Sequence, residues 1–145
     1  MVLKITAGSI IVLILVLFGS ACTGSKKEVT LYQNSLVRWH AHEKMLEVYA
    51  VAQNKTDDAV SFRASVVWLN AKVGQAVGLN AVEIVKDDRN GKPPFRLEPH
   101  SETVFHEFIK TNGTLTRDLL AKGVGIEITM HDRSYTLPIS YGEIE

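Results

Sequence analysis

From Leu31 onward, apolar and polar residues alternate with a period of two, which places one face of each strand in a core and the other in water. The clearest run covers residues 61–70. Phe62, Ala64, Val66 and Trp68 fall on one side, with Ser61, Arg63 and Ser65 on the other, while Val67 and Leu69 make the far end apolar on both faces. A well-covered central strand fits that pattern. Before it, residues 45–53 align Leu46, Val48, Ala50 and Ala52 opposite Glu47, Tyr49 and Gln53. The intervening Asn54, Lys55, Thr56, Asp57 and Asp58 are turn formers, so the two runs read as a hairpin. Residues 102–110 form a further β-rich run. In 124–131, Val124, Ile126, Ile128 and Met130 oppose Glu127 and Thr129, and the cluster His131, Asp132, Arg133 and Ser134 then turns the chain into Tyr135, Leu137 and Ile139. One stretch reads as a helix: Thr114 or Thr116 as cap, Leu119 and Leu120 inside, Gly123 as stop. Residues 86–94, with Asp87, Asp88, Asn90, Gly91, Pro93 and Pro94, read as a mobile loop. The pattern predicts an all-β antiparallel sandwich of about seven strands with one short crossover helix.

The amino end departs from this rhythm. Ile10 through Phe18 is unbroken hydrocarbon, and Lys4 is the only charged side chain before Lys26, the layout of a secretion signal over residues 1–21. Gly19, Ser20 and Ala21 then lead into Cys22, the only cysteine. This sequence resembles the lipobox of bacterial lipoproteins, with Gly19 where a leucine is usual. The resemblance implies that Cys22 carries diacylglycerol and holds the mature chain on the extracytoplasmic face of the cell membrane. The same residues also suit an ordinary signal peptidase, which would release a soluble protein. A third reading is an uncleaved anchor over 5–21, near the roughly 20 residues that a spanning helix needs. All three readings export the domain. Residues 22–30 then read as lipidated cysteine and tether, and 31–145 as the sandwich. The six residues from Thr23 to Glu28 would reach about 20 Å when extended.

Two stretches resemble the immunoglobulin-like modules of bacterial envelope lipoproteins, of the FxLYD and related kind. In the first, a strand ends in the Asn54, Thr56, Asp57 turn, after which Phe62, Ala64, Val66 and Trp68 lead to Asn70 and Gly74. In the second, Leu97, Glu98, Pro99, His100, Ser101, Glu102 and Thr103 resemble a Leu-x-Pro-Gly-Glu-Thr step, with His100 in the glycine's place. The resemblance implies an immunoglobulin-like fold and a binding or scaffolding role, and it carries no catalytic residues over.

Composition narrows the chemistry. Removal of the signal, with Lys4, leaves 15 basic against 16 acidic residues, a balance that gives no electrostatic reason to expect nucleic acid as a partner. A lone cysteine forms no internal disulfide, so a packed core has to hold the fold. No Gly-x-Ser-x-Gly and no phosphate-cradling glycine loop occurs, and the acidic pairs Asp57-Asp58 and Asp87-Asp88 lie in turn sequences. The chain therefore reads as a non-catalytic module without a cofactor, with another envelope protein as the expected partner. The alternative is a metal- or solute-binding lipoprotein. His40 and His42, beside Trp39 and Glu43, would project together from a continuous strand, whereas a turn through Ala41, His42, Glu43 and Lys44 would separate them. His100 and His106 would join a site only if the fold brought them near. Of the two tryptophans, the alternation assigns Trp68 to the core, and Trp39 remains the candidate anchor for a partner. Asn54-Lys55-Thr56 matches a glycosylation sequon, for which its turn role is sufficient reason.

Overall fold

Among the described residues, ten strands and two short helices follow one another as β1 (Val29–Leu31), β2 (Leu36–His40), β3 (Met45–Asn54), β4 (Val60–Trp68), α1 (Ala71–Val77), β5 (Ala81–Glu83), β6 (Phe95–Leu97), β7 (Glu102–Lys110), α2 (Arg117–Leu120), β8 (Val124–Thr129), β9 (Ser134–Pro138) and β10 (Tyr141–Ile144). The structure is a computed structural model that describes residues 26–145, so the signal segment and Cys22 lie outside the described residues.

The strands form two sheets, as the two-residue alternation predicts. In the first sheet β3 is central. Its early half pairs with β2 (Trp39 opposite Leu46), its late half with β1 (Val29 opposite Asn54), and its other edge with β7 along nine residues. β1 and β2 are one line of chain interrupted at 32–35. There the Tyr32 amide donates to the Val51 carbonyl and the buried Ser35 hydroxyl accepts from the Val51 amide, so β3 loses no hydrogen bond at the break. In the second sheet β4 is central, flanked by β8 on one side and by β5 and β6 in succession on the other, with β9 outside β8.

The described residues hold more strands than the seven expected, and three of them, β1, β5 and β6, have only three residues each, too short to show alternation. One pair departs from the antiparallel expectation. After Pro138 ends β9, the buried Ile139 carries the chain across to the first sheet, where β10 runs parallel to β2.

The inward residues are those the alternation selects. Leu46, Val48, Ala50 and Ala52 of β3, Phe62, Ala64 and Val66 of β4, and Val124, Ile126 and Ile128 of β8 are all buried. Phe62, Phe95 and Phe105 meet between the sheets with ring centroids 5.0 to 6.3 Å apart. Each such side chain contributes about 1.5–3 kcal/mol on burial.

Helix α2 lies where the sequence places it, with Thr116 at its N-cap position. Helix α1 was not anticipated: the Asn70 side chain accepts from the Lys72 amide at 2.9 Å, and Gly78, at φ 77°, ends the helix with its amide on the Gly74 carbonyl. The sandwich also begins at Val29, two residues ahead of the boundary at Leu31. Val29 is fully buried, its amide and carbonyl both meet the Tyr135 hydroxyl, and Glu28 pairs with Arg133. Because Val29 faces Asn54, the chain enters at the end of the sandwich opposite the 41–44 turn.

Candidate functional site

Strand β2 ends at His40, and residues 41–44 form the turn into β3. Lys44 adopts a left-handed φ of 51°, and its carbonyl accepts from both the amide and the hydroxyl of Thr111. His42 is exposed on that turn while His40 lies on the outer face of the first sheet, so the two imidazoles do not share a strand face. Trp39 requires a correction as partner anchor. It alternates inward with Val37, is 6% exposed, and its indole N–H donates to the Thr111 hydroxyl at 3.1 Å. Trp68 is the more exposed of the two: it is half-buried, packs against Gly74 of α1, and its N–H donates to the Leu79 carbonyl at 2.6 Å. His100 sits in the exposed turn at the opposite end of the sandwich from the 41–44 turn, 2.8 Å from Asp57.

His40 and His106 do come together, through a residue that the sequence marked only as polar. Glu47 faces outward from the middle of the first sheet yet is only 8% exposed. His40 Nε2 lies 2.8 Å from its Oε2, His106 Nε2 lies 2.8 Å from its Oε1, and Arg38 donates to Oε2 at 3.1 Å. Register explains the convergence. Glu47 stands opposite Arg38 on β2 and Phe108 on β7, with His40 and His106 two residues along those strands in opposite senses. Arg38 also pairs with Glu143 of β10, and His40 Nδ1 lies 3.2 Å from Glu145. The network thus ties together β2, β3, β7 and β10.

Burial pushes the Glu47 carboxyl up, but the hydrogen bonds from His40 and His106 and the charge of Arg38 outweigh it and hold the group below its ordinary value. The Arg38 guanidinium is raised, chiefly by its hydrogen bond to Glu143. A carboxylate engaged by three donors fixes the strands and the rings around it; it does not stand free as a general base. Among the described residues no trio of histidine, cysteine or acidic side chains is arranged to hold a metal ion.

Around this polar centre the outer face also carries apolar side chains. Phe108 and Tyr141 are exposed, and Leu36, Met45 and Tyr49 are half-buried between them. His106 lies edge-on to Tyr49 at 5.5 Å and tilted against Phe108 at 4.8 Å. His40, Glu43, Met45 and Phe108 line a shallow, open notch. The outer face of the second sheet carries Ser61, Arg63 and Ser65 on β4 with Glu127 and Thr129 on β8, and turns apolar at the far end of β4, where Val67 lies opposite Ala81 and the exposed Leu69 covers Gly125. Sequence alternation identified Glu47 and Tyr49 as outward residues. That Arg38, His106, Phe108, Tyr141 and Glu143 gather around them depends on strand order, for which a single strand's sequence holds no signal.

Compared with known proteins, the chain matches no protein-family model and no curated sequence.

Proposed function

We propose that this chain is a lipid-anchored, extracytoplasmic interaction module of the bacterial cell envelope, non-catalytic, which holds another envelope protein against the outer face of its first sheet. The observation that carries the reading is the exposed pair Phe108 and Tyr141 on the outer face of the first sheet, standing over a hydrogen-bonded network of Arg38, His40, Glu47, His106 and Glu143, where the second sheet's outer face presents Ser61, Arg63, Ser65, Glu127 and Thr129 along most of its length. Aromatic side chains held in place by a pre-ordered scaffold are what protein-binding surfaces concentrate.

The leader, the lipobox-like Gly19-Ser20-Ala21-Cys22 and the immunoglobulin-like resemblance supply the location. The geometry of the chain entry is consistent with it. With Glu28 and Val29 fastened to Arg133 and Tyr135, five residues from Thr23 to Lys27 separate Cys22 from the folded body, about 17 Å when extended. The domain would then stand close to the bilayer with the 41–44 turn pointing away.

A photoreactive residue introduced at Tyr141 in the living cell, and the same residue at Ser65 on the second sheet, test the binding face. A discrete crosslinked envelope protein is expected at 141 and none at 65. Equal crosslinking at both positions, or none at either, would defeat the reading. Anchoring is tested separately by Cys22→Ala, which is expected to abolish fatty-acid labelling and release the protein from membranes.

A further inference from the structure

Each open sheet edge exposes backbone amides and carbonyls on which a second chain can pair, and long flat edges are the hazardous ones. Most edges here are short. β10 has four residues, β5 and β6 three each, and β9 ends in Pro138. The exception is β7, nine residues long with the run Thr103, Val104, Phe105, His106, Glu107, Phe108 and Ile109, rich in β-forming residues and paired only with β3.

Two features of β7 oppose further pairing. The first lies in residues 86–91. The Asp88 amide donates to the Val104 carbonyl at 3.0 Å and Asp88 Oδ1 accepts from the Val104 amide at 3.0 Å, so one residue occupies both groups that a neighbouring strand would use. Asp87 holds this arrangement in place. Its Oδ1 accepts from the amides of Arg89 and Gly91, and its Oδ2 accepts from the Thr103 hydroxyl at 2.7 Å. The second is Glu107. Opposite Val48 and between Phe105 and Ile109, it lies on the core side of the strand, where every neighbour in register is apolar. Burial already pushes its carboxyl above the ordinary value, against the nearby charges of Lys86 and His106. A strand added to this edge would remove the water that still reaches it.

Since Val104 turns its backbone groups away from β3, the same alternation turns those of His106, Phe108 and Lys110 outward, and no backbone partner among the described residues meets them.

We propose that Asp88 and Glu107 together close the β7 edge against strand pairing with a second copy of this chain. The inference does not depend on the proposed partner face. The test is hydrogen exchange and native mass spectrometry on the full chain in detergent, comparing wild type with Asp88→Ala/Glu107→Val. Wild type is expected to be monomeric, with rapid exchange at the amides of His106, Phe108 and Lys110. The double variant is expected to form a dimer in which those three amides slow by roughly tenfold or more. Glu107→Gln, which keeps the side chain's size and removes only the charge, is expected to shift the same way to a smaller extent. A wild-type dimer with those amides protected would overturn the proposal. So would a folded double variant, its β3–β7 amides still protected, that stays monomeric at its highest soluble concentration.

Discussion

Asn54 is fully buried and, with Thr56, closes the turn after β3. Its amide nitrogen lies 2.8 to 3.3 Å from the carbonyls of Asp58, Leu97 and Glu98, and its Oδ1 accepts from the Thr56 amide and hydroxyl. Asn54→Ala is expected to cost about 2 to 3 kcal/mol in urea unfolding, because buried carbonyls lose their donor. Asn54→Asp is expected to cost more, since it turns a carboxylate toward the same three oxygens. Two other acids make opposite contributions to the pH profile. The Glu47 carboxyl is lower in the folded chain than in the unfolded one, so its stabilisation is present above the ordinary carboxylate range and lost as pH falls through the depressed folded value. The Glu107 carboxyl is raised, so its contribution is fully present below the unfolded value and lost as pH rises through the folded one. Thermal melts across pH are therefore expected to show a weaker acid-side loss in Glu47→Gln. Glu107→Gln is expected to melt higher than wild type at neutral pH.

Among the elements, those with a regular two-residue pattern were legible. β3, β4 and β8 lie where their alternation puts them, and the turns at 54–58 and 131–133 consist of the polar residues that predict them. His100, in the place expected of a glycine, has a left-handed φ of 56° in its turn. Helix α1 escaped because seven residues, one of them Gly74, give too few turns for a helical period to emerge. Residues 86–94 read as mobile from their proline, glycine and acidic content, yet 87 and 88 are fastened to β7 by side-chain acceptors that composition does not reveal. The contact of β10 with α2 was invisible for a similar reason. A Cβ on Gly142 would lie 2.6 Å from the Leu120 Cβ and 3.0 Å from the Ala121 amide nitrogen. Gly142→Ala is thus expected to destabilise by roughly 1 to 3 kcal/mol, read as a lower urea midpoint with unchanged slope.

For the whole molecule, the arrangement of the two sheets leaves one outer face mostly polar, apolar around Val67 and Leu69, and the other partly aromatic. Phe108 is 57% exposed and Tyr141 56%. Phe108→Asp and Tyr141→Asp are expected to reduce recovery of the crosslinked partner by about tenfold or more. Melting temperature is expected to change little, because neither ring belongs to the core. Loss of folding in both variants would instead make the aromatic face a structural requirement.

The chain's own pattern determined that it folds as a sandwich, which residues face inward, and where the main reversals fall, because alternation and turn chemistry act between residues adjacent in sequence. Only tertiary structure decided that Trp39 is core and that His40 and His106 share Glu47, or that Asp88 closes a strand 16 residues further on. These outcomes follow from the order and register in which strands meet. That choice is made by packing among many residues at once, and no single segment encodes it.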